Sequence, residues 1–237
     1  MEAQNEIAVI MAAGTGTRML PLTKTTAKPL LPVLGVPMIE TVINALKKRN
    51  LSKIYIVVGY KKEQFEYLKQ KYENIELIEN TEYLEKNNIS SIKAVANALG
   101  KNNCFICEAD LYITDDSIFH HEFKRSCYFG KFIEGYSDDW IFEMDNDRIV
   151  NIKKEGTSLF NMAGISYWLK EDAAEIAKAL DRAYKEPEHG KLFWDEVVNK
   201  ILDKVNVGVY PIKPEQITEL DTVDDFTKFS LCLQFST

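Results

Sequence analysis

The sequence predicts a single α/β domain whose sheet is mostly parallel and carries an inserted antiparallel hairpin. Three features predict it. Short unbroken apolar runs at residues 7–11, 54–58 and 104–107 have the composition of strands buried on both faces. Segments with helical spacing separate them, a rhythm that gives parallel strands joined by right-handed crossovers. Later in the chain, two alternating segments flank Asp145-Asn146-Asp147, which is a hairpin signal.

Each element has its own local reason. Pro37 opens a helix whose Met38, Ile39, Val42, Ile43 and Leu46 share one face, with Lys47, Lys48 and Arg49 in the last turn. Gly59 ends the second strand. Phe65, Leu68 and Tyr72 stripe a second helix, and residues 75–78 form a short strand. Ser90 or Ser91 is placed to cap a third helix carrying Ile92, Val95, Ala96 and Leu99, with Gly100 as its stop. After Asp110 the rhythm changes. Residues 140–144 and 148–152 form the hairpin, 160–168 a further strand, and 171–184 and 194–202 two helices. Short runs at 207–210 and 217–220 precede a last helix from about Val223. No linker, repeat or low-complexity tract divides residues 1–237, so one domain is expected.

Composition narrows the function. At 237 residues and 46% hydrophobic, the chain can bury a core without a metal or a disulfide. A formal charge of −7 argues against a nucleic-acid binder but not against a local cationic pocket. No apolar run nears the roughly 18–20 residues of a membrane span. The start of the chain has no basic n-region, so a cytoplasmic protein away from the membrane is expected. Cys104 and Cys107 are spaced C-x-x-C, but on a strand they point to opposite faces, and all four cysteines are read as reduced. His120, His121 and His189 lack a third ligand nearby and are read as structural.

The first strand runs into Ala12-Ala13-Gly14-Thr15-Gly16-Thr17-Arg18. Glycines there let successive backbone N–H groups turn towards an anion, and Arg18 adds a planar cation suited to phosphate. The loop is not a Walker A motif, because no Gly-Lys-Ser/Thr closes it. As a dinucleotide fingerprint it also fails: Met19 replaces the third glycine, and no ribose-binding acid ends the second strand. Lys28 stands before Pro29, which should hold it extended and able to reach back to the same phosphates.

The stretch Gly14-Thr15-Gly16-Thr17-Arg18 followed by Ala27-Lys28-Pro29-Leu30-Leu31-Pro32-Val33 resembles nucleotidyltransferases that activate sugar phosphates and small alcohol phosphates. Further landmarks are similar to bacterial CTP:phosphocholine cytidylyltransferases, whose close relatives act on 2-aminoethylphosphonate. They are residues 56–65, Asn87-Asn88, Glu108-Ala109-Asp110, the Trp140 region, Phe193-Trp194-Asp195 and Glu219-Leu220-Asp221. This resemblance spans nearly the whole chain and implies a Rossmann-like nucleotidyltransferase fold.

It also implies roles. The Gly14–Thr17 backbone, Arg18 and Lys28 would bind the triphosphate of CTP. Ala12, Ala13, Asn88 and Ser91 would line the base and ribose pocket. Asp110, with Asp221 as partner and Glu219 as the weaker candidate, would ligate Mg2+, and Arg18, Lys28 and Asp110 would be the catalytic set. Asp139, Trp140, Trp194 and Asp195 would receive a small phosphorylated or phosphonate amine. The physical reading agrees for Asp110, since ligands lie outside the carboxyl ends of parallel strands. The expected reaction is attack of the acceptor's phosphate or phosphonate oxygen on the α-phosphorus of CTP, with pyrophosphate leaving. That oxygen is already ionised, so no Ser, Cys or His base is needed. Aromatic faces favour a quaternary ammonium and carboxylates a primary one, and the chain offers both, with a slight lean towards phosphocholine. A sugar-1-phosphate nucleotidyltransferase and a non-catalytic nucleotide-binding regulatory domain are the rival readings. A homodimer is compatible with the sequence, which does not set the oligomeric state.

Overall fold

β1 (Glu6–Ala12) can sit mid-sheet because it is apolar on both faces: Ala8 and Ile10 enter one core layer, Ile7 and Val9 the other. The computed structural model describes residues 6–235. After β1 come the ribbon β2 (Pro32–Val33) and β3 (Val36–Pro37), then α1 (Met38–Leu46), β4 (Lys53–Val58), α2 (Leu68–Lys71) and β5 (Ile75–Glu79). The chain continues through α3 (Ile89–Ala94), β6 (Asn103–Glu108), β7 (Leu111–Ile113), β8 (Ser126–Asp145) and β9 (Arg148–Trp168). It ends with α4 (Lys170–Ala183), α5 (Trp194–Asn199), β10 (Val207–Pro211), β11 (Ile217–Glu219) and α6 (Val223–Phe235).

Seven strands form one sheet in the order β10-β8-β9-β6-β1-β4-β5. The block β6-β1-β4-β5 is parallel, as the apolar runs required. β9 runs antiparallel to both β6 and β8, and β10 returns parallel to β8. Away from this sheet β11 pairs antiparallel with β7. That pairing carries the chain back beside the end of β6, where the Leu220 N–H donates to the Asp110 carbonyl at 3.2 Å. Cys104 and Cys107 lie in opposite core layers, both buried and free. Among the described residues no helix is long and apolar enough to cross a membrane.

Local expectations fail in several places, and α3 itself ends at Ala94, short of the expected Gly100 stop. The Phe65–Leu68–Tyr72 stripe is buried, but its helix is broken into a 3-10 turn (Lys62–Phe65) and the four-residue α2. Tyr72 has already turned extended, and its hydroxyl donates to the buried Glu40 at 2.6 Å. Ser90 and Ser91 are not caps. They lie inside α3, and both hydroxyls accept from the Asn80 amide, at 2.9 and 3.2 Å. The hairpin is far longer than its apolar alternation, with strands of 20 and 21 residues. Its middle, around residues 153–158, is largely exposed, so no buried face imposes a pattern there.

Candidate active site

The loop after β1 is shaped by Gly16, whose φ of 64° is left-handed and suits glycine. A Cβ on Gly16 would stand 2.8 Å from the Lys28 Cβ, so this glycine also lets Lys28 approach. The Thr23 hydroxyl donates to the Gly16 carbonyl at 2.9 Å and fixes the loop. Lys28 is not extended as Pro29 suggested. It is the first residue of a 3-10 turn, Lys28–Leu30, with Ala27 extended before it. The turn is closed by the Leu30 and Leu31 N–H groups, which donate to the Ala27 and Lys28 carbonyls at 2.9 and 3.1 Å, so the N–H that Pro29 lacks is not missed.

The Lys28 side chain is 9% exposed and bridges two carboxylates. Its Nζ lies 2.6 Å from Asp110 Oδ2 and 2.7 Å from Asp221 Oδ1. Arg18 adds a bond from Nη2 to the same Asp221 oxygen, at 2.8 Å. Thus four residues singled out in the sequence converge, from three segments far apart in the chain. Burial alone would lower the Lys28 pKa, but Asp110 and Asp221 outweigh it and raise it. Burial raises the Asp221 carboxyl, yet Lys28 and Arg18 bring it below its ordinary value.

Behind this pair sits an acidic cluster. Glu108, Asp110 and Glu219 each bring a carboxylate oxygen within 4.8 Å of the others. Burial and then the charges of Glu219 and Asp110 push Glu108 well above the usual carboxylate range. Burial, Asp110 and Asp221 push Glu219 up to about 8. Three carboxylates this close together could hold a cation, and hard carboxylate oxygens are the donors that Mg2+ prefers. Glu108 was missed as a candidate ligand. Its signal was available: an acid ending a buried parallel strand two residues before Asp110.

Three adjoining cavities meet at Arg18 and Asp221, which line all of them. One, of about 260 Å³, is lined by Ala12, Gly14, Gly16, Thr17, Lys28 and Asp110, the expected triphosphate side. The second, of about 300 Å³, is bordered by Ala13, Gly14, Thr15, Asn88, Ser91 and Tyr83. Gly59 makes room for Tyr83 there, since a Cβ would stand 2.7 Å from its ring. The third, of about 240 Å³, is lined by Asp138, Asp139, Trp140, Lys154, Phe193 and Asp195 together with Glu108 and Glu219.

This third cavity corrects one expectation. Trp194 is 3% exposed and packs on Tyr128 and Trp168, 6.0 and 6.2 Å between ring centroids. At the start of α5 the backbone turns its ring into the core, and Phe193 takes the cavity wall instead. Asn88 contributes its side-chain oxygen to the Trp194 N–H at 2.9 Å, which ties α5 to the start of α3. Asp195 accepts from the Tyr128 hydroxyl at 2.9 Å, and burial raises its carboxyl to about 7. The other residue that sequence reasoning missed is Lys154, which pairs with Trp140 across the hairpin in a stretch without apolar alternation.

The family model for the nucleotidyl transferases matches residues 7–134. The chain belongs to the nucleotidyltransferase family. This nucleotidyltransferase is 50% identical over 228 residues to the 2-aminoethylphosphonate cytidylyltransferase of Lancefieldella rimae, covering 96% of this chain and 93% of that protein. It is 34% identical to the choline-phosphate cytidylyltransferase of Streptococcus pneumoniae, covering 96% and 98% of the two chains. The solved CTP:phosphocholine cytidylyltransferase of Streptococcus pneumoniae superposes with a TM-score of 0.87 at 32% identity, covering 97% of this chain and 99% of that one. The mostly parallel sheet with its inserted hairpin is therefore the nucleotidyltransferase fold.

Proposed function

We propose that this nucleotidyltransferase transfers the cytidylyl group of CTP to a small phosphorylated or phosphonate amine, with 2-aminoethylphosphonate as the first acceptor and pyrophosphate as the leaving group. The reading rests on the meeting of three cavities at Arg18 and Asp221, where a nucleotide and a second anion would be brought together. The relative named for 2-aminoethylphosphonate, at 50% identity over nearly the whole chain, supports that acceptor. Phosphocholine is the second reading, favoured by the faces of Trp140 and Phe193 in the third cavity.

In the proposed reaction an acceptor oxygen forms a bond to the α-phosphorus as the bond from that phosphorus to the pyrophosphate oxygen breaks. The acceptor oxygen is ionised near neutral pH, so the chain supplies no base. Arg18 and Lys28 would meet the charge that grows on the leaving pyrophosphate, and this is where fixed cations lower a barrier most. The Gly14–Thr17 backbone and the acceptor cavity hold the reactants in line, converting a bimolecular encounter into an oriented one. Asp110 would hold Mg2+ with Glu108 and Glu219, and Asp221 is the fourth carboxylate beside them. When bound, the ion neutralises phosphate charge.

Pyrophosphate release over a matrix of CTP, UTP, ATP and GTP against 2-aminoethylphosphonate, phosphocholine and a sugar-1-phosphate tests the reading, with and without Mg2+. The expected outcome is Mg2+-dependent turnover of CTP with an amine acceptor. Better turnover of UTP with the sugar-1-phosphate would replace the reading.

A further inference from the structure

Lys154 is an odd residue in the acceptor cavity. Its ammonium lies 5.2 Å from the centroid of the Trp140 ring and 5.0 Å from that of Phe193. The two rings meet edge to face, 5.5 Å between centroids, and form a two-walled aromatic slot. Neighbouring Lys153 pairs with Glu143, but Lys154 has no carboxylate within 4 Å among the described residues, although the cavity is rich in them. Asp138 and Asp139 are likewise without an ion pair among the described residues. The Asp139 carboxylate accepts from the adjacent Trp140 backbone N–H at 2.7 Å.

Aromatic faces attract one cation at a time, and a second positive charge brought to the same faces is repelled by the first. A trimethylammonium group has no N–H to donate, so aromatic faces are its main recognition, and here they are already covered. A primary ammonium has three donors and is served by free carboxylates instead. From this arrangement we infer that Lys154 selects the acceptor: its ammonium fills the Trp140–Phe193 slot, excludes a quaternary ammonium, and leaves Asp138 and Asp139 to receive an unmethylated one. The inference rests on the proposed transfer to an amine acceptor and adds the residue that sets its methylation state.

Lys154 is exposed on the hairpin, so its substitution leaves the core intact. The unmutated protein and Lys154→Ala are compared for kcat/KM with CTP and either 2-aminoethylphosphonate or phosphocholine. The ratio of phosphocholine to 2-aminoethylphosphonate should rise at least tenfold in Lys154→Ala, through a lower KM for phosphocholine. Adding Trp140→Leu should abolish that gain. An unchanged ratio overturns the inference. So does an equal loss with both acceptors, which would make Lys154 a clamp for the phosphonate or phosphate they share. Failure of the proposed reaction looks different: the unmutated protein would release no pyrophosphate from CTP with either acceptor. Calorimetric titration with choline then still decides, since binding is expected to Lys154→Ala and not to the unmutated chain, and equal behaviour of the two would overturn the inference.

Discussion

Lys28→Met removes the cation that joins Asp110 to Asp221 while keeping an unbranched chain of similar length. Its side chain is 9% exposed and the two carboxylates 22% and 26%, so the bridge is mostly but not wholly withdrawn from water. Breaking a fully buried pair costs about 3–5 kcal/mol, and partial exposure of the partners lowers that to about 2–3 kcal/mol. For a chain of this size the melting temperature should drop by about 4–12 °C. The pH dependence follows from the directions of the shifts. The raised Lys28 pKa stabilises the fold below the ordinary lysine value and is lost only as pH rises through the folded one. The lowered Asp221 pKa stabilises it above the ordinary aspartate value and is lost only as pH falls through the folded one. Between pH 5 and 9 both contributions are therefore complete in the unmutated protein. In Lys28→Met, Asp221, Glu108 and Glu219 lie near one another without that cation and take up protons more readily. The gap in melting temperature should thus be widest at pH 8 and narrow towards pH 5. In turnover, loss of a cation that meets leaving-group charge should lower kcat/KM about 10²–10³-fold. Scanning calorimetry across pH and steady-state pyrophosphate release read the two effects. A melting temperature unchanged at pH 8, or kcat/KM within threefold of the unmutated value, would refute this account of Lys28.

Asp110→Asn should abolish turnover without melting the protein, since its side chain is partly exposed and the amide can still accept from Lys28; near-normal rates across an Mg2+ titration would remove Asp110 from the metal set. Gly16→Ala should cost both stability and CTP affinity, because the new Cβ forces φ of 64° on alanine and meets Lys28; fluorescence-detected melting and CTP titration would expose an unaffected variant. Asp195→Asn keeps the shape and the bond from Tyr128 but cannot ionise. Because the folded pKa of Asp195 is raised to about 7, ionisation works against the fold as pH climbs from about 4 to 7, so the variant's melting temperature should gain more at pH 8 than at pH 5. Glu40 is buried among Tyr67, Tyr72 and Lys71. Burial raises its carboxyl, but those partners hold it below its ordinary value, so its contribution persists above about pH 4.3 and fades in acid. Glu40→Ala should therefore lower the neutral-pH melting temperature and flatten the acid limb of the stability profile.

What was legible in the sequence was whatever a local pattern enforces. The runs at 7–11, 54–58 and 104–107 must be strands because both faces are buried, and they form the parallel block as expected. The Gly14–Thr17 loop, Arg18, Lys28 and Asp110 stood out because chemistry that close to strand ends needs a reason. Their meeting with Asp221 did not follow from any local pattern. It depends on β11 pairing with β7, 104 positions away in the register of Ile217 with Ile113, two three-residue strands too short to announce a partner. The hairpin was seen at its turn and in the strand at 160–168, but not as two continuous strands. Between residues 153 and 158 its side chains are largely exposed, periodicity carries no signal there, and the segment holding Lys154 was left without a place in the fold.

The same contrast explains why the acceptor side was harder to read than the nucleotide side. In the proposed reaction, triphosphate recognition would use a contiguous loop and two cations with few substitutes, so residue type and spacing single it out. Acceptor recognition, as proposed, would be a balance between free carboxylates and aromatic faces, and residue types alone do not say which is accessible. Trp140, Trp194 and Phe193 offer three aromatic side chains in sequence, but Trp194 is turned into the core against Tyr128 and Trp168. Of the remaining two faces, both carry the Lys154 ammonium. A sequence rich in aromatics beside acids therefore folds into a cavity in which, on the inference above, carboxylates and not rings would meet an incoming amine. A chain with the same tryptophans and phenylalanine but an uncharged residue at 154 would present the opposite chemistry on the same fold.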